Sequence, residues 1–165
     1  MPFIRDMFLA LALAIGAGLP AVAVAQDYPL SVRHAFGTTV IPARPVRIAT
    51  VNWSNHEVPL ALGVVPVGFA AANFGDDDGD GVLPWVAARL DELGAETPVL
   101  FDEGDGIDFE AVAAVRPDVI LAAYSGLSAA DYETLSLIAP VIAYPETRSP
   151  TAVAASGSVA GTVAS

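Results

Sequence analysis

The sequence predicts an α/β fold: a single lobe with a mainly parallel sheet and flanking helices, preceded by a small β-hairpin. Three observations carry this. One phrase recurs beyond residue 46: amphipathic helix, Gly or Pro stop, short apolar strand, polar loop. Alternating helices and strands pack as a parallel sheet with right-handed crossovers. Residues 119–123 read VILAA, apolar at every position, and a strand without alternation is buried on both faces, as in a sheet covered by helices. Residues 28–41 alternate weakly around Phe36-Gly37-Thr38-Thr39, the pattern of a hairpin.

In chain order, Pro42-Ala43-Arg44-Pro45 is a stiff connector, and residues 46–51 form the first parallel strand, with Arg47 near its start. Ser54 and Glu57 fit an S-x-x-E capping box, and Val58, Ala61 and Leu62 are expected to face inward. Pro59 conflicts with a helix begun at Ser54, because it would remove a hydrogen bond past the first turn. That helix therefore starts later or is kinked, and Gly63 ends it. Residues 64–70 are a second strand, and residues 73–81 an Asp/Gly loop. Pro84 suits the first position of a helix. Leu83, Val86, Leu90 and Leu93 make residues 84–93 amphipathic, with Gly94 as the stop.

Residues 98–101 are a third strand and 102–106 an acidic loop. Asp108 is then a good N-cap, Glu110 suits the positive end of the helix dipole, and Phe109, Val112 and Ala113 share a face. Arg116-Pro117 stops this helix, since the residue before proline avoids the α region. Ser128 and Asp131 form a second capping box, for a helix with Tyr132, Leu135, Ile138 and Ala139 inward. Pro140 ends it, and residues 141–144 are the last strand.

The two ends have a different character. Phe8 to Leu19 is apolar, and Pro20-Ala21-Val22-Ala23-Val24-Ala25 offers A-x-A cleavage sites, so residues 1–25 are expected to be a cleaved signal peptide. After cleavage no membrane insertion is expected. Residues 26–145 hold the folded lobe, and residues 146–165, mainly Ala, Ser, Thr, Gly and Val, are expected to be a disordered or aberrant tail.

Composition narrows the function. The 165 residues carry 7 basic and 19 acidic side chains, a net charge of −12, with no lysine and no cysteine. Disulfide and thiolate chemistry are excluded, and nucleic acid is excluded as a partner, because so acidic a chain repels phosphate backbones. There is no G-x-S-x-G, no G-x-x-x-x-G-K-[ST] and no G-x-G-x-x-G after the first strand, so no catalytic residue is assigned. Asp76, Asp78, Asp80 and Gly81 imitate the start of a calcium loop, but its twelfth position is Ala87 rather than Glu. A solvated acidic loop is expected, with no metal site. His34 and His56 are expected at the surface, the latter on a helix. Trp53, Phe74 and Tyr124 fall at or just past strand ends, where aromatic side chains suit a large, partly apolar ligand. An exported α/β hydrolase using His56 and acidic loop residues, or an acidic calcium-binding structural module, are the competing readings.

The stretches HAFGTTVIPARPVRIAT (34–50), NHEVPLALGVVPVG (55–68) and above all IDFEAVAAVRPDVILA (107–122) resemble the N-terminal lobe of the periplasmic binding proteins that feed iron–siderophore and cobalamin ABC importers. The likeness runs from about residue 28 to 145, and the FGTT hairpin favours the siderophore branch. The resemblance implies a class III binding-protein fold lacking here its linking helix and second lobe, hence an apparently truncated, impaired receptor that binds weakly alone. It implies a periplasmic protein without enzymatic activity or cofactor, iron arriving only as ferric siderophore. It implies a permease of the inner membrane as partner, docked through Glu110. Ligand contacts would come from the strand-end loops, at Asn52, Trp53, Phe74, Tyr124 and Ser125.

Overall fold

The computed structural model describes residues 27–146. The expected signal peptide, and the tail beyond residue 146, lie outside the described residues. The hairpin is β1 (Leu30–His34) and β2 (Gly37–Ile41), paired antiparallel. Then come β3 (Ile48–Thr50), α1 (Glu57–Ala61), β4 (Gly68–Ala70), α2 (Pro84–Glu92), β5 (Val99–Phe101), α3 (Phe109–Ala114), β6 (Val119–Ala122), α4 (Ala129–Ser136) and β7 (Val141–Ala143). The five later strands form one parallel sheet in the order β5-β4-β3-β6-β7. The expected α/β lobe with a preceding hairpin is therefore what the chain forms.

Both faces of the sheet are covered. Phe101 belongs to a core with Val112, Ile120, Leu135 and Val141, whereas its neighbour Leu100 packs against Leu60, Phe69, Val86 and Leu90. Adjacent strand residues point to opposite faces, so α3 and α4 cover one face, and α1 and α2 the other. Gly68 of β4 gives room for the Phe101 ring, whose Cε1 would lie 2.7 Å from an added Cβ.

The RPD phrase before β6 has a clear physical task. Val115 caps α3, and Arg116 turns the chain in the left-handed region at φ +46°. The Asp118 carboxylate then accepts from the backbone N–H groups of Val46 (2.8 Å) and Arg47 (3.0 Å). Arg47 Nε donates back to the Arg116 carbonyl at 2.9 Å. The beginnings of β3 and β6, the two central strands, are thereby fixed in register.

Five expectations are corrected. The Ser54–Glu57 capping box does not form: Ser54 sits at φ +62°, and α1 begins only at Glu57 with no side-chain cap. Pro59 thus falls in the first turn, where its missing N–H leaves no bond unmade. The shifted start rotates the inward face, so Pro59 and Leu60 are buried while Val58 and Leu62 are exposed and Ala61 faces outward with them. In α3, Ala113 is exposed, and Ala111 and Val115 pack inward in its place. His34 is buried, because the hairpin folds against β7 and α4: Thr39 Oγ1 donates to the Val141 carbonyl at 2.7 Å, and the His34 ring lies 5.2 Å from Tyr132. His56 is buried as well, stacked on Phe69 with ring centroids 4.5 Å apart.

Candidate ligand cleft

The strand order reverses between β3 and β6: β3 leads outward through β4 to β5, and β6 leads the other way to β7. Loops leaving adjacent strands on opposite sides of such a point open a crevice at the carboxyl edge of the sheet. A cleft of about 720 Å³ lies there. Its wall from β3 is Asn52, Trp53 and His56, and its wall from β6 is Ala123, Tyr124, Ser125 and Gly126. Ala70 at the end of β4 with Ala71–Asn73 after it, Leu83 before α2, Glu103 after β5, and Tyr144 and Pro145 after β7 complete it.

Asn55 holds the two central walls together. It is buried, and its Nδ2 donates to the Val51 carbonyl (2.7 Å) and the Tyr124 carbonyl (2.8 Å). Its Oδ1 accepts from the Tyr124 N–H at 2.8 Å. The β3 loop is itself tightly turned. Asn52 adopts φ +61°, a region asparagine tolerates better than most side chains, and its N–H donates to Glu103 Oε2 at 2.9 Å. The loops after β3, β5 and β6 are thus linked through two side chains.

Glu103 is the unusual charge of the cleft. Burial pushes its carboxyl up to about 7, and the backbone N–H and side-chain amide of Asn52 only partly draw it back. Its Oε1 is buried without a hydrogen-bond partner among the described residues, as are Asn52 Oδ1 and His56 Nδ1. Burial also lowers His56, against a smaller opposing pull from Glu57, so its neutral ring is favoured.

The structure brings Asn52, Trp53, Tyr124 and Ser125 to one cleft. Trp53 and Tyr124 stand at its rim, 40% and 70% exposed. Ser125 Oγ donates to the Ala122 carbonyl at 2.6 Å, shaping its own turn. Phe74 is not brought in: it is 79% exposed and outside the lining. Glu110 is exposed in the first turn of α3, whose Asp108 cap accepts from the Ala111 N–H at 2.9 Å. Since α3 follows β5, its start lies on the same edge of the sheet as the cleft.

Sequence reasoning missed Asn55, Glu103 and Tyr144. Glu103 and Asn55 lie in strand-end segments that the pattern did locate, but nothing in the residue type showed which would turn inward. In the acidic loop, carboxylate oxygens of Asp76, Asp78 and Asp80 lie within 4.8 Å of one another. Two of these side chains already serve the loop. Asp76 accepts from Gly79 N–H (2.9 Å) and Gly81 N–H (2.7 Å), and Asp80 accepts from Val82 N–H (2.7 Å).

Comparison with known proteins agrees with this geometry. The family described as "Periplasmic binding protein" matches residues 48–157. The Fe(3+) dicitrate-binding periplasmic protein FecB of Escherichia coli (strain K12) is 30% identical over 145 residues, 86% of this chain and 41% of that protein. The probable siderophore-binding lipoprotein YfiY of Bacillus subtilis (strain 168) is 32% identical over 120 residues, 72% of this chain and 34% of that protein. The crystal structure of Streptococcus pneumoniae TIGR4 PiaA in complex with ferrichrome superposes with a TM-score of 0.68 at 52% identity, covering 70% of this chain and 38% of that one. The chain thus spans about two fifths or less of the length of these relatives, an extent matching one lobe.

Proposed function

The chain belongs to the periplasmic binding protein family, and from that premise we propose that it is the ligand-capturing N-terminal lobe of a ferric-siderophore receptor serving an ABC importer. The cleft at the strand-order reversal supports this most directly. It is open, rimmed by Trp53 and Tyr124, and of a size that suits a chelate of several hundred cubic ångströms. Relatives named for ferric chelates support the ligand class. The family is one of solute binding rather than catalysis, and neither hydrolysis nor calcium binding gains support.

In this reading Asn52, Trp53, Tyr124 and Ser125 contact the ligand. Phe74 would reach it only from outside the lobe's own cleft. Glu110 docks the lobe on a permease: it is exposed, on the cleft edge, and makes no ion pair among the described residues. Relatives named as periplasmic or as a lipoprotein fit an exported protein; cleavage after residue 25 and a periplasmic home belong to the proposal, as does an inner-membrane permease.

The test is titration of the full chain with ferric siderophores, read by fluorescence in a Trp85→Phe background so that Trp53 is the reporter. Saturable quenching up to millimolar chelate supports the reading, and its absence overturns it. Affinity is expected to be weak, since one lobe supplies one wall of contacts. Glu110→Arg tests docking: the siderophore titration should be unchanged and permease-dependent uptake lost.

A further inference from the structure

The cleft holds an electrostatic preference that family membership leaves open. Among the described residues no arginine lines it, and the chain contains no lysine. Among the described residues, the buried, unpartnered polar atoms of its lining side chains are Asn52 Oδ1, Glu103 Oε1 and His56 Nδ1. An amide oxygen accepts only, and so does an ionised carboxylate. Such buried acceptors cost free energy until a donor reaches them. Those oxygens are themselves shielded from solvent, so what the cleft presents is the field of the Glu103 carboxylate, with no cation among the described residues to favour an anion. Resting on the siderophore reading above, we propose that Glu103 makes the cleft a charge selector: it favours cationic over neutral, and neutral over anionic, ferric chelates of similar size.

The physical basis is asymmetric. A cationic group in the cleft is attracted to the ionised Glu103 carboxylate across the intervening protein. An anion there must be desolvated beside a like charge with no compensating partner. Because Glu103 titrates near 7, the discrimination should grow as pH rises through that value. The other titratable side chains at the cleft are His56, Tyr124 and Tyr144. None of them appears among the causes of the Glu103 shift, which are burial and Asn52.

Three versions of one linear ferric trihydroxamate isolate charge from iron chemistry: one with a free terminal ammonium, its neutral N-acetyl form, and its anionic N-succinyl form. Each is titrated into the full chain in the Trp85→Phe background at pH 5.5 and pH 8.5, following Trp53 fluorescence. At pH 8.5 affinity should fall by about fivefold at each step from cation to anion, for charges about 8 Å apart at an effective dielectric near ~40. At pH 5.5 the three should converge. In Glu103→Gln the pH dependence of the ratio should disappear. That variant also separates Glu103 from the general field of an acidic protein, which would leave the ratio pH-independent in both chains. If all three chelates bind equally at both pH values, or Glu103→Gln keeps the wild-type profile, the selector is refuted while the siderophore reading stands. If none binds at millimolar concentration, both fall.

Discussion

Replacing Asn55, which lies behind the cleft wall and braces it, by alanine should loosen the cleft more than truncating any residue that lines it. The wild-type side chain makes three short hydrogen bonds, to the carbonyls of Val51 and Tyr124 and from the N–H of Tyr124. At about 1 kcal/mol net per bond, and with backbone groups left buried and unpaired, the loss is about 3 kcal/mol. Asn55→Asp should cost at least as much, because a carboxylate keeps the bond from Tyr124 N–H but turns an acceptor toward two carbonyls. Urea unfolding followed by tryptophan fluorescence measures this. With an m-value of about 2 kcal/mol per molar, the midpoint should fall by about 1.5 M at unchanged m. Asn73→Ala, in the same cleft but exposed and with no side-chain hydrogen bond among the described residues, should stay within about 0.5 kcal/mol. A loss below about 1 kcal/mol at Asn55 would refute the claim that this side chain joins the β3 and β6 loops.

Three further outcomes are expected. Glu103 has a folded pKa of about 7 against 4.5 for the free group, so its contribution to stability is full below pH 4.5 and is lost as pH rises through about 7. Discounted for its partial exposure, the loss is about 1–2 kcal/mol. The buried histidines, both lowered from 6.5, act in the opposite direction, gaining stability as pH rises through that value; the difference between wild type and Glu103→Gln across pH 4.5–8 isolates the carboxyl. Gly68→Ala should destabilise by about 1–3 kcal/mol in thermal or urea unfolding, since the new methyl has no space beside the Phe101 ring. Asp118→Ala removes the acceptor for the Val46 and Arg47 N–H groups and should cost about 2 kcal/mol; amide exchange at those two positions should accelerate.

The sequence showed those parts of the molecule that rest on periodicity and punctuation. The Asp108 cap, the Ser128–Asp131 capping box and the Leu83, Val86 and Leu90 face of α2 all form as the spacing implied. So does the buried β6 strand. What stayed hidden depended on contacts distant in sequence. His34 looked like a surface residue in a hairpin, and only the docking of that hairpin on β7, more than a hundred residues away, buries it. Ser54 and Glu57 carried a capping box by spacing, yet the turn leaving β3 places Ser54 in the left-handed region and delays the helix. The cleft was partly visible, because strand ends were recognisable and four of the five residues assigned to ligand contact line it. Asn55 and Glu103 were not visible, because a polar residue in a loop gives no local sign that it points inward.

The central claim is that the carboxyl edge between β3 and β6 receives a ferric chelate. NMR titration of the ¹⁵N-labelled full chain with a gallium(III) trihydroxamate, the diamagnetic counterpart of the ferric complex, tests it most directly. Saturable shifts should concentrate at Asn52, Trp53, Glu103, Tyr124 and Ser125, while Val58, Leu62 and the Asp76–Asp80 loop stay in place. Shifts absent from the first group at millimolar chelate, or centred on the second, would contradict the account.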